Sequence, residues 1–172
     1  MMYMSVNITK SVLIATVSSR RYTRLVESGE VSDPSGDIAE RLFRLNGFRD
    51  IKRVLIRDDE SMIREVVDMA RKEGYPLIVF IGGTGVAKDD ITVETLHSMF
   101  TKDIPGFNIL YTLYSEKEIG VRAMSSRASA GFIGDILVYA IPGSPKAVEL
   151  CIKKLIIPEY EHLMVIRRGL KH

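Results

Sequence analysis

The chain has 172 residues, of which 46% are hydrophobic and 27% charged, enough to bury a substantial core in what is expected to be one domain spanning 1–172. Its formal net charge of +2 gives no electrostatic reason to expect nucleic acid as a partner, although "RRGLK" near the end makes a local basic tail. No apolar run approaches the ~20 residues of a membrane span, and "MMYMSVNITK" holds too short an apolar region for a secretory signal, so a cytoplasmic protein with no membrane partner is expected.

In chain order, "SVLIATV" (11 to 17), "IKRVLI" (51 to 56), "LIVFI" (77 to 81) and "ILVYAI" (136 to 141) are nearly continuous apolar runs rich in Val and Ile. Such runs read as strands covered on both faces, the pattern of a parallel sheet flanked by helices. Between the first two, Ile38, Leu42 and Leu45 recur at helical spacing and Gly47 supplies a stop. Between the second and third, Ile63, Val66, Val67 and Ala70 do the same, ending near Gly74. This β-α-β-α-β order predicts an α/β fold: a three-layer, doubly wound, mostly parallel sheet flanked by helices, with ligands held beyond the carboxyl ends of the strands. "ITVETLHSMF" and "GFNILYTLYSEKEIG" then read as helical, followed by one more strand and a long C-terminal helix carrying Cys151, the only cysteine, as a small apolar residue.

The third run ends in "GGTG" (82 to 85), and a helix is expected to begin near Ile91 or Thr92. Glycines let backbone amides approach a ligand closely, and a helix N-terminus favours an anion, so the turn suits phosphate. It is neither a Walker loop nor a dinucleotide fingerprint, because Lys88 is followed by Asp89 and no glycine stands at 88. A tight turn with Asp90 or Thr92 as N-cap would account for it equally well. "ILVYAIPGSPKAVEL" repeats the design, with Ser144 as a candidate N-cap and Pro145 suited to the first helical position. The second strand ends at the same rim in "IRDDE", placing Asp58 and Asp59 where they could approach Asp90; carboxylates beside phosphate-binding turns suit Mg²⁺. Either aspartate could instead cap the helix beginning near Glu60. The three histidines form no His-Glu-x-x-His, and no Gly-x-Ser-x-Gly occurs, which argues against zinc hydrolysis and serine nucleophile chemistry. A phosphomonoester, with a second pKa of about 6, is an anionic nucleophile needing little proton abstraction. Metal clamping and positioning would then supply most of the catalysis.

Together, "IGGTGVAKDDITVETL", "EIGVRAMSSRASAGF" and "LVYAIPGSPKAVELCIKKLIIPE", with "SDPSG" at 32 to 36 and "RDDE" at 57 to 60, resemble the molybdenum cofactor biosynthesis proteins MoaB and MogA, related to the G domain of gephyrin. The similarity runs from about Val12 to Pro158, and "EIG" before "SSRASAG" points toward the MoaB branch. The resemblance implies a molybdopterin adenylyltransferase using Mg²⁺ and ATP to attach AMP to the terminal phosphate of molybdopterin, releasing pyrophosphate. It implies catalytic, metal-binding roles for Asp58 and Asp90, and phosphate or pterin binding by Gly82, Gly83, Thr84, Gly85, Ser126, Arg127, Pro142, Gly143 and Ser144. Arg127 could make a forked contact to phosphate. It further implies a homo-oligomer, trimer or hexamer, and a downstream metal-insertion protein as partner. A catalytically silent molybdopterin-binding protein and a structural oligomer are the alternatives, and retention of both aspartates favours the enzyme.

Five departures from the family pattern bear on these expectations. Ser19 stands where relatives often carry aspartate, and Ile81 and Val93 replace a frequent threonine and a frequent proline. Ile109 and Thr112 stand where relatives often carry Glu and Arg. In that helix, Phe107, Leu110, Tyr111 and Tyr114 could serve a subunit interface or pack within the chain.

Overall fold

The computed structural model describes residues 7–169. The opening residues, read above as too short for a signal, lie outside that range from 1 to 6, as does the end of the basic tail from 170 onward.

A six-stranded sheet is built from β1 (Ser11–Val17), β2 (Asp50–Ile56), β3 (Leu77–Ile81), β4 (Lys102–Asp103), β5 (Ser129–Ile133) and β6 (Ile136–Ile141), in the order β2-β1-β3-β6-β5-β4. The four apolar runs of the sequence are β2, β1, β3 and β6, which lie side by side and parallel, with Val79 opposite Ile14 on one side and Tyr139 on the other. The chain passes from β1 outward to β2 and then returns across β1 to β3, so the direction of winding reverses between β1 and β3. In open α/β sheets that reversal leaves a crevice at the carboxyl ends of the two strands.

Alternation along the strands supplies both faces of the core. Val12, Ile14, Leu77, Val79, Leu137 and Tyr139 meet α2 (Pro34–Leu45), α5 (Pro105–Ile119), α6 (Pro145–Cys151) and α7 (Ile157–Arg167). Leu13, Ala15, Ile78, Phe80, Val138 and Ala140 meet α3 (Glu60–Glu73) and α4 (Thr92–His97) on the opposite side. α1 (Ser19–Ser28) buries no residue fully. Its N-cap is Ser18, and Gly29 ends it in the left-handed region with φ 75°.

Several expectations are corrected by packing. Leu45 is 76% exposed; Ala39, Leu42 and Phe43 are the residues of α2 that face the sheet, because the helix turns its last residue toward solvent. β2 is an edge strand and only Ile56 is fully buried in it, so its apolar run is not covered on both faces. Three strands, not one, follow β3: the short β4 and the antiparallel β5, in "SAGFI", were too small-residue-rich or too brief to register as apolar runs. The long C-terminal helix is interrupted by a π-helical segment, Ile152–Ile156. It sits directly before Pro158, whose missing N–H leaves the ordinary i−4 ladder one bond short. Cys151 is buried, as expected, and burial pushes its thiol pKa up. Among the described residues no helix is long and apolar enough to cross a membrane.

α5 divides the aromatic and apolar set assigned to it. Phe107 and Tyr111 face inward, Phe107 meeting the Tyr139 ring edge-on at 4.9 Å between centroids, whereas Ile109, Leu110, Leu113 and Tyr114 stay exposed.

Candidate active site at the glycine turn

The turn after β3 is shaped by two steric demands. Gly82 adopts φ 110° and Gly83 φ 66°, conformations that residues with a Cβ rarely hold. A Cβ on Gly82 would collide with the Val17 carbonyl oxygen at the end of β1, and one on Gly83 would collide with Thr92 Oγ1. The turn is closed by Thr92 N donating to the Gly83 carbonyl at 3.1 Å. Neither Asp90 nor Thr92 is the N-cap of α4: Ile91 occupies that position and makes no side-chain cap. Asp90 instead accepts from Ala87 N through Oδ2 at 3.0 Å. The same carboxylate lies against Gly85, where a Cβ would stand 2.6 Å from Oδ2.

The two aspartates ending β2 divide the roles left open by the sequence. Asp59 caps α3, accepting from Met62 N at 3.0 Å and from the Ser61 hydroxyl at 2.6 Å; those hydrogen bonds, the Ser61 one foremost, lower its pKa. Asp58 points back to the crevice. Its Oδ2 accepts from the Ser19 hydroxyl at 2.8 Å and from Ser19 N at 3.2 Å, and Asp58 N donates to Ser19 Oγ at 3.1 Å. Its Oδ1 lies 3.0 Å from the point a Gly83 Cβ would occupy. Asp58 and Asp90, far apart in sequence, therefore flank two glycines of one four-residue turn.

Ser126 and Arg127 approach from the loop before β5. Arg127 N donates to the Thr84 carbonyl at 3.2 Å, and its guanidinium donates to the carbonyls of Gly85 (2.8 Å) and Asp90 (3.2 Å). The expected fork is made to Glu94, on α4, and the Arg127 hydrogen bond holds the Glu94 pKa below its ordinary value. Arg127 thus braces the loop from 85 to 94. Thr84 is buried, and Ser126 Oγ is buried beside the Tyr111 hydroxyl without a well-formed hydrogen bond.

The second turn, Pro142, Gly143 and Ser144, packs beside the first, with Gly143 against Gly82. Ser144 is the N-cap of α6 and accepts from Ala147 N at 3.2 Å. The Gly143 carbonyl accepts from Ser35, a buried serine of "SDPSG", at 2.7 Å. Asp33 of the same segment caps α2 and accepts from Thr16 at 2.6 Å and Arg53 at 3.0 Å. Spacing gave no role to Ser35 or Glu94, and Thr92 was expected only as an N-cap; the block "SDPSG" alone hinted at the first.

Thr92 carries the remaining anomaly. It is fully buried, yet its Oγ1 has no hydrogen-bond partner, a state that ordinarily costs ~1–3 kcal/mol. Among the described residues no group of three or more His, Cys, Asp and Glu side chains forms a metal cage. Two carboxylates beside a glycine turn are a donor set that suits Mg²⁺, since that ion is commonly shared between one or two carboxylates and substrate phosphates rather than held in an all-protein cage.

Fold and site together define a doubly wound α/β domain with a glycine turn and an acidic pair at its switch point. The chain belongs to the family described as "Probable molybdopterin binding domain", which it matches over residues 13–162. It is 35% identical over 152 residues to a probable molybdopterin adenylyltransferase of Methanocaldococcus jannaschii, covering 88% of this chain and 90% of that one. It is 40% identical over 111 residues to the molybdenum cofactor biosynthesis protein B of Staphylococcus carnosus, covering 64% and 65%. The crystal structure of the tungsten cofactor synthesizing protein MoaB from Pyrococcus furiosus superposes with a TM-score of 0.83 at 27% identity, covering 94% of this chain and 99% of that one.

Proposed function

We propose that this protein is a molybdopterin adenylyltransferase of molybdenum cofactor biosynthesis. The observation that carries this reading is the placement of Asp58 against Gly83 and Asp90 against Gly85, which sets two carboxylates from separate segments on one anion-binding turn. The terminal phosphate of molybdopterin, largely dianionic near neutral pH, attacks the α-phosphorus of ATP; a new P–O bond forms, the bond to the β-phosphate oxygen breaks, and pyrophosphate leaves. No general base is required, because the nucleophile is already anionic. The amides of Gly83, Thr84 and Gly85, together with Gly82, Pro142, Gly143 and Ser144, would form the rim against which phosphate or pterin binds, the Gly82 N–H itself being held by the Ile141 carbonyl at 2.9 Å. Ser126 stands next to that rim with its hydroxyl buried beside that of Tyr111, and would reach a ligand only by turning that hydroxyl outward. Arg127 keeps the loop in shape through its carbonyl and Glu94 contacts. Asp58 and Asp90 would hold Mg²⁺, which when bound neutralises charge on the polyphosphate.

The protein is further read as a cytoplasmic homo-oligomer, trimer or hexamer, assembled through the apolar face of α5 at Ile109, Leu110, Leu113 and Tyr114. A metal-insertion protein would receive its product. Incubation of the purified protein with molybdopterin, Mg²⁺ and ATP should yield adenylylated pterin and pyrophosphate. Pterin binding without turnover would instead identify a silent binding protein, and absence of pterin binding a structural one.

A further inference from the structure

Asp58 is held asymmetrically, and the asymmetry has a direction. Both donors of Ser19, hydroxyl and backbone N–H, go to Oδ2, and Asp58 N returns a hydrogen bond to Ser19 Oγ. Among the described residues no hydrogen bond reaches Oδ1, which faces Gly83 at the spot where the fully buried Thr92 Oγ1, unpartnered among the same residues, also points. Gly83 has no side chain to fill the gap, so two oxygens from different elements converge on one small space. A carboxylate and a hydroxyl are hard donors suited to a small divalent cation. Thr92 is also well anchored, its N–H being bonded to Gly83, so its hydroxyl sits preorganised.

We propose that Thr92 Oγ1 is a cation ligand alongside Asp58 Oδ1, and that Ser19 is a positioning residue that decides which Asp58 oxygen faces the ion. This rests on the reading of the site as Mg²⁺-dependent, and it assigns roles to two residues of this chain. With Asp58 Oδ2 taken up by Ser19, only Oδ1 is left to face the ion, and the hydroxyl of Thr92 supplies an additional oxygen donor. The Ser19 hydroxyl still orients Asp58, which an aspartate's acceptor-only carboxylate would repel.

The test is direct binding of Mn²⁺, followed by electron paramagnetic resonance on the whole protein without nucleotide. Thr92→Val, nearly isosteric, should weaken binding at least about tenfold, and Thr92→Ser should restore it. Ser19→Ala should weaken binding by a similar factor, with Ser19→Thr recovering most of it. Thr92→Cys should exchange preference toward a soft ion, gaining a cadmium–thiolate absorption band that disappears when Asp58→Asn is added; the buried Cys151 supplies no competing thiol. Wild-type Mn²⁺ affinity in Thr92→Val, a cadmium band indifferent to Asp58, or absence of Mn²⁺ binding by the wild type would each overturn the proposal. Adenylyl transfer is scored separately, so a protein that binds Mn²⁺ through Thr92 yet forms no adenylylated pterin would refute the enzymatic reading alone.

Discussion

The two glycine turns at the rim follow parallel strands, precede helices and touch each other, but they are built differently. In the turn after β3, both leading glycines have positive φ, a buried hydroxyl lacks a partner, and two carboxylates lie close to the glycines. In the turn after β6, Ser144 caps its helix and Gly143 has its carbonyl held by Ser35. Hydrogen-bonding capacity left unused in a buried place costs stability unless a ligand completes it. On the proposed reading the first turn is the one an occupant would complete, whereas the second has its own hydrogen bonds made and would act as a wall.

The largest expected effect separates chemistry from architecture. Asp90→Asn should keep the fold and much of the pterin binding, because the amide oxygen can still accept from Ala87 N. It should cut adenylyl transfer by about 100-fold or more, since several kcal/mol of charge stabilisation disappear. Unchanged turnover in a quantitative pyrophosphate-release assay would remove Asp90 from the reaction. Next comes a matched pair of substitutions. Gly83→Ala forces a Cβ into Thr92 Oγ1 at φ 66° and should destabilise by about 1–2 kcal/mol while abolishing cation binding. Gly143→Ala places its Cβ at an ordinary 3.6 Å from Gly82 and should melt close to the wild type. Equal melting shifts would erase the distinction between the turns. Ser144→Ala should cost about 1 kcal/mol through loss of the α6 cap, a smaller stability loss that chemical denaturation can resolve.

The smallest effect is a pH dependence. The Arg127 hydrogen bond lowers the Glu94 pKa, so the pair's contribution is present above the ordinary glutamate value and fades as pH falls through the lowered folded value. Glu94 is largely exposed, which keeps the effect small. Amide exchange of the loop from 85 to 94 should accelerate modestly in acid, and Arg127→Ala should flatten that Glu94-linked response. An identical acid response in Arg127→Ala would show that the brace does not control the loop.

Much of the sheet was legible because β1, β3 and β6 are apolar on both faces, a composition that buried strands require, and the glycine turns were legible because their backbone needs no side chain. β5 escaped because Ser129, Ala130 and Gly131 carry little hydropathy, and Leu45 was misplaced because periodicity alone does not say where a helix face ends. Asp58 and Asp59 are chemically identical neighbours, so no local rule could choose the cap. The structure chose Asp59 because its side chain meets the Met62 N–H.

The sequence by itself determined the four parallel strands with the helices between the first three, the two glycine turns and the supply of acidic groups, since these follow from short-range patterns of hydropathy and backbone freedom. Only tertiary structure decided that Asp58 turns toward Gly83, that Arg127 grips Glu94, and that Thr92 is buried with its hydroxyl unpaired. Those outcomes depend on which distant segments the reversal of winding between β1 and β3 brings within hydrogen-bond reach, and no spacing along the chain encodes that distance.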